Sequence, residues 1–105
     1  SKQAEKGGVV NSTYLDLLDK TMKRCKEKGV ELRMYISPEF SQKSALTVAV
    51  AEKIGRVAMC NNVSFTNAHS DKHFMQDATL FKDVSHLNDK GARMFTANVV
   101  RDILR

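Results

Sequence analysis

No run of apolar residues in this chain approaches the roughly 18 needed for a membrane-crossing helix, so no such span is expected. Cysteine is scarce. Cys25 and Cys60 are far apart and form no metal knuckle or redox pair. Both fall on the apolar side of expected helices, where buried free thiols are the default; a disulfide stays open, because spacing along the chain does not give separation in space. Gly-Asp-Ser and Gly-x-Ser-x-Gly are both missing, so no recognisable serine nucleophile is present. Internal repeats and low-complexity tracts are missing too. The first residues carry no signal-peptide pattern, and in a chain that begins at Ser1 that excludes nothing.

Acidic charge is in the minority: 12 Asp and Glu face 17 Lys and Arg, for a formal net charge of +5. Such a sign can favour acidic partners, including nucleic acid or anionic polysaccharide. Here the basic residues are dispersed, and the cluster from Lys20 to Lys28 shares its helix with Asp16, Asp19 and Glu27. Asp16 with Lys20, and Asp19 with Lys23, have the acid-before-base spacing that supports an exposed helix face. With no aromatic-studded basic groove or known motif, the charge reads as a solvated face, and no nucleic-acid partner is expected.

What is present is enough for a core. Hydrophobic residues make up 42% of 105 residues, the size of one small domain or a piece of a larger one. Residues 1–10 read as a lead-in or linker. Asn11-Ser12-Thr13 offers N-cap residues, Leu15, Leu18, Met22 and Cys25 follow at helical spacing, and Gly29 sits where a C-cap belongs. Val30 to Ile36 reads as a strand with Val30, Leu32, Met34 and Ile36 on one face, ended by Ser37-Pro38. A second helix is expected from Ser41 or Ser44 to Met59, with Leu46, Val50, Ile54 and Val57 inward and Gly55 as a weak point. Cys60-Asn61-Asn62 reads as a turn and Val63 to Thr66 as a short strand. From Asn67 to Leu87 the chain is largely polar, with weak helix signals at Asp71 to Met75. So long an irregular stretch is uncommon unless it carries a site. The last helix begins at Asn88 as N-cap, with Leu87 stapled onto Ala92 and Met94, Phe95, Val99 and Ile103 as its buried stripe. The methionines (Met22, Met34, Met59, Met75 and Met94) mostly fall on apolar faces and read as core filler.

Asp83-x-x-His86, just before a capped helix, is the most informative feature. One turn can present a carboxylate and an imidazole together. A carboxylate bonded to one ring nitrogen fixes the tautomer and stabilises the imidazolium formed when the other nitrogen takes a proton. A serine hydroxyl needs such a base. His69-x-Asp71-x-His73 is a second candidate. The histidines share a face in a helix, whereas Asp71 joins them only in an extended chain, so a polar loop is the simpler reading and no metal is expected. Glu39 follows a strand, where α/β folds tend to place site residues; it reads as a plain turn acid that could face a cleft.

The string Leu80-Phe81-x-Asp83-x-x-His86-Leu87-Asn88-x-x-Gly91-Ala92-x-x-Phe95-Thr96 resembles the final motif block of the SGNH (GDSL-type) hydrolase superfamily, in branches related to polysaccharide O-acetylation and cell-surface esterases. Upstream, Asn11 to Leu15 with the following helix, Gly29 and the strand into Ser37-Pro38 are more loosely similar to the preceding helix–strand unit. The resemblance implies His86 as general base, Asp83 as its orienting carboxylate, and Asn88 and Gly91 as structural residues. It implies Phe81 as an apolar core position beneath the loop. It also implies acyl-ester hydrolysis or transfer on carbohydrate or other cell-surface esters, without metal or other cofactor, in an extracytoplasmic or cell-envelope setting. The nucleophile block that the family carries is absent, and Ser12 has no room before it for the required strand.

The expected fold is α/β, a partial three-layer α/β/α sandwich with a parallel sheet, with residues 11–105 forming the C-terminal part of such a domain. A right-handed crossover should join the two strands. Two strands make a poor sheet, so further strands are expected from Val9-Val10, from a missing N-terminal part of the same protein, or from another copy of the chain. The alternative function is a non-catalytic interaction domain that keeps the fold and the Asp–His loop.

Overall fold

The computed structural model describes residues 12–40 and 45–105. The lead-in, the Asn11 cap, the Val9-Val10 strand and a helix start at Ser41 or Ser44 lie outside the described residues, as does the Leu46 side chain. The chain divides into two compact units, residues 1–35 with 44–67 and residues 36–43 with 68–105.

In the first unit, helix α1 (Ser12–Glu27) precedes strand β1 (Arg33–Ile36), whose last residue already counts with the second unit. Helix α2 (Ala45–Cys60) then leads to strand β2 (Ser64–Asn67), and β1 and β2 pair in parallel. Both helices stop by the same device. Gly29, at φ +69°, donates its N–H to Lys26 O while Val30 N–H reaches Cys25 O. Asn62, at φ 55°, donates to Met59 O while Val63 N–H reaches Ala58 O. These paired bonds satisfy the last helical carbonyls. They also explain why the expected strand from Val30 is shorter: Val30 is part of the helix cap, and the strand begins only at Arg33.

Helix α2 runs unbroken through Gly55. The glycine is there for space, since a Cβ at that position would lie 3.2 Å from the Phe65 ring. The buried face of α2 is Ala51, Ile54 and Ala58, with Val50 and Val57 half-buried. Small residues let neighbouring chain approach closely, so an expectation built on large side chains missed the two alanines. From α1 only Met22 is fully buried. The Asn61 amide is buried and ties the two helices, donating to Asp19 (2.7 Å) and to Val57 O (2.9 Å). Asp19 also pairs with Lys23, as the spacing predicts. Bonds from Asn61 first and Lys23 second hold the Asp19 carboxyl below the usual aspartate range. The cysteines correct the expectation of burial: both are free, Cys25 half-buried and Cys60 exposed. Met59 is 78% exposed and is not core filler.

The second unit fills the stretch expected to be mostly irregular. A short helix α3 (Lys72–Met75) is capped by Asp71, whose side chain accepts from His73 N–H. A 3-10 turn (Ala78–Leu80) is capped by Asp77, which accepts from Thr79 N–H. Strands β3 (Phe81–Asp83) and β4 (His86–Leu87) form an antiparallel hairpin, and helix α4 (Asp89–Leu104) closes the chain. Phe74, Leu80 and Pro38 are fully buried, and Phe74 meets Phe95 edge-on with ring centres 6.0 Å apart. Leu80, not Phe81, is the core residue of this segment; Phe81 is half-buried with its ring 5.6 Å from that of Phe40.

Asn88 caps α4 as expected, accepting from Gly91 N–H at 2.9 Å, an arrangement worth about 1 kcal/mol. The same residue fastens the helix to the 3-10 turn: its side chain donates to Thr79 O and its backbone N–H to Leu80 O. The expected stripe of α4 is only partly covered. Phe95 and Val99 are half-buried, while Met94 and Ile103 are 40% and 47% exposed. Ala92 is exposed, and Leu87 lies against Gly91 instead of stapling to it. The described residues therefore form a mixed α/β structure with a two-stranded parallel sheet and a hairpin. None of their helices is long and apolar enough to cross a membrane.

Candidate functional site

The hairpin brings Asp83 and His86 together. They are paired across β3 and β4, with only Val84 and Ser85 between them, and directly opposed residues in a hairpin project to the same face. His86 Nδ1 stands 2.8 Å from Asp83 Oδ1, and the same oxygen accepts from Ser85 N–H at 2.9 Å. The carboxylate thus closes a side-chain turn and holds the ring at once. An ionised carboxylate only accepts, so Nδ1 carries a proton, and in the neutral imidazole Nε2 is the nitrogen with the lone pair. The pair is open to solvent, with the His86 and Asp83 side chains 71% and 57% exposed. Exposure at that level means the contact contributes little to stability, and it leaves the imidazole accessible. Among the described residues, no serine, threonine or cysteine side chain is bonded to His86.

The bond from His86, followed by that from Ser85 N–H, holds the Asp83 carboxyl below its ordinary value of 3.8. A carboxyl lowered in the folded chain favours folding above its ordinary value, and that contribution is lost as the pH falls through the folded midpoint. Carboxyl 13C titration should therefore place Asp83 below 3.8, and His86→Ala should move the midpoint back up. An unmoved midpoint would show that the Asp83–His86 bond is not made in solution.

His69 and Glu39, which read as loop residues in the sequence, form a second carboxylate–imidazole pair. His69 Nε2 bonds Glu39 Oε1; His69 is 3% exposed and the Glu39 side chain 22%. The backbone joins the same two segments within the second unit: Ala68 N–H donates to Ile36 O at 2.9 Å, and Glu39 N–H to His69 O at 3.2 Å. Both residues lie in loops, as read, but the two are paired and His69 is buried. His73 does not join them as a ligand pair, since Asp71 is engaged in capping α3 and His73 is exposed. No three His, Cys, Asp or Glu side chains among the described residues converge to hold a metal ion. The only sequence signal for the buried pair was the placement of Glu39 just after a strand.

A concavity of about 590 Å³ lies on the first unit, between α2 and β2, lined by Gly55, Met59, Val63 and Phe65 among others. Asp83 and His86 do not line it. Comparison with protein-family models, with curated proteins and with solved structures finds no match for this chain.

Proposed function

We propose that this chain is the C-terminal part of an SGNH-type serine esterase or O-acyltransferase. It supplies the general base His86 and its orienting carboxylate Asp83 for acyl esters of carbohydrate or the cell surface. The observation that carries this reading is the 2.8 Å bond between Asp83 Oδ1 and His86 Nδ1, which leaves Nε2 as the nitrogen free of that carboxylate and able, in the neutral ring, to take a proton from a hydroxyl. Asn88 and Gly91 occupy the structural roles that the motif implies, one as helix cap and the other at a close backbone approach.

The solvent-facing pair fits a nucleophile that comes from outside the described residues. Parallel sheets are normally covered on both faces. Here β2 is mostly exposed, and α4 leaves Val100, Ile103 and Leu104 exposed. Further strands from the N-terminal part of the same protein, or from another copy of the chain, would cover such surfaces and complete a three-layer sandwich. The mechanism needs no metal or other cofactor, and neither nucleic acid nor membrane enters it.

The complete gene product, assayed against small acetyl esters and acetylated oligosaccharides, tests the reading. Hydrolysis or transfer should occur and fall by at least 10³-fold in His86→Ala, with folding unchanged. Activity that survives His86→Ala, or none in the intact protein, would sink the enzyme reading and leave a non-catalytic interaction domain.

A further inference from the structure

We propose that the Glu39–His69 pair is a positioning device that holds the Asp83–His86 turn. Its catalytic meaning rests on the hydrolase reading, whereas its structural claim does not. The hairpin carrying Asp83 and His86 is only three residues paired with two. A two-stranded hairpin is marginal by itself in water, so this one needs anchors. At its base the anchors are Leu80, Asn88 and Gly91, already described. At its tip the anchor is Phe40, whose N–H donates to Val84 O at 3.0 Å and whose ring packs against Phe81.

Phe40 in turn belongs to the loop that Glu39 secures. Glu39 is bonded to His69 twice, through its backbone N–H to His69 O and through its carboxylate to the ring. Pro38, fully buried, fixes the chain just before it. A path of direct contacts therefore runs from His69 to Glu39, through the adjacent Phe40, to Val84, which lies between Asp83 and His86. A buried ion or hydrogen-bonded pair adds little net stability compared with apolar residues of similar size, but removing one partner is costly. Holding a small exposed turn in one geometry is a role that apolar packing, being non-directional, does not supply.

The chain itself, without substrate, provides the test. Glu39→Met keeps the length of the side chain and removes the carboxylate. It should speed amide exchange at Phe40 about tenfold, the loss of one modest hydrogen bond's worth of protection. It should also weaken the 15N signature of a proton on His86 Nδ1, while the Gly91 amide bonded to Asn88 stays protected. Glu39→Gln, which retains an acceptor oxygen, should restore both signals. The joint variant Glu39→Met with His69→Phe removes both side chains of the pair and is the check if Glu39→Met alone loses Gly91 protection; it should show the same local losses at Phe40 and His86. Unchanged Phe40 exchange and an unchanged His86 ring signal in a folded variant lacking the carboxylate would overturn the proposal. None of these readings depends on ester hydrolysis, so failure of the hydrolase reading leaves them intact. Where hydrolysis is present, Glu39→Met should lower kcat with KM little changed.

Discussion

Gly91→Ala is expected to destabilise the second unit by about 3 kcal/mol, among the larger effects that a single methyl group can have. A Cβ at Gly91 would stand 2.1 Å from Leu80 O and 3.0 Å from Leu87 Cδ2. The first neighbour is a backbone oxygen, and it cannot move alone, because it also accepts from Asn88 N–H at 2.9 Å. To admit the methyl group, α4 must lift from the 3-10 turn. The cap at Asn88 and the base of the Asp83–His86 hairpin would move with it. Gly55→Ala provides the contrast. Its new Cβ would meet only the edge of the Phe65 ring, at 3.2 Å, and a ring can shift by a few tenths of an ångström. Alanine also gains about 1 kcal/mol over glycine inside a helix, so the net change there should be close to zero. Urea denaturation followed by circular dichroism compares the two variants. Equal losses would mean that the close approach at Leu80 is not made in solution.

Asp83→Asn, in a complete gene product that hydrolyses acyl esters, should lower kcat by on the order of 10³- to 10⁴-fold while KM changes little. Asp83 Oδ1 accepts from Ser85 N–H and also holds His86 Nδ1, so an asparagine that turns its NH2 toward His86 gives up the Ser85 bond. In that arrangement the amide donates to Nδ1, which favours the tautomer with the proton on Nε2. That nitrogen then cannot take a proton from a nucleophile. The defect should therefore lie in the chemical step, with an unchanged circular dichroism spectrum and unchanged Gly91 amide protection. A variant with near-normal kcat would show that His86 does not work through Asp83, and the general-base assignment would fall.

Features governed by a few neighbouring residues were legible in the sequence. The Asn88 cap, the Gly29 helix end and the Asp19–Lys23 pair depend on contacts within a turn or two of chain, and all are found where the spacing places them. Asp83 and His86 also come together as read, although through a hairpin rather than a plain loop before the helix. Their proximity needs only two intervening residues, so it was visible even though the strands were not. Strands of two and three residues carry too few side chains to show an alternating pattern.

Other features went unread because long-range contacts decide them. Ala51 and Ala58 are buried because of what lies against α2, and an alanine gives no sign of that in sequence. Cys60 and Met59 have the polarity of core residues and are exposed, Met59 lining the open concavity between α2 and β2.

By itself, the sequence determined the two long capped helices flanking β1 and β2, the final capped helix, and the pairing of Asp83 with His86. Local hydrogen bonds and helical periodicity are written in residues close together along the chain, and so are those features. Only the tertiary structure decided that Glu39 and His69 form a buried pair and that Phe40 ties the turn of the candidate site. Each joins residues from separate segments, and what brings them together is the directionless burial of Phe74, Leu80 and Pro38, which no local pattern specifies.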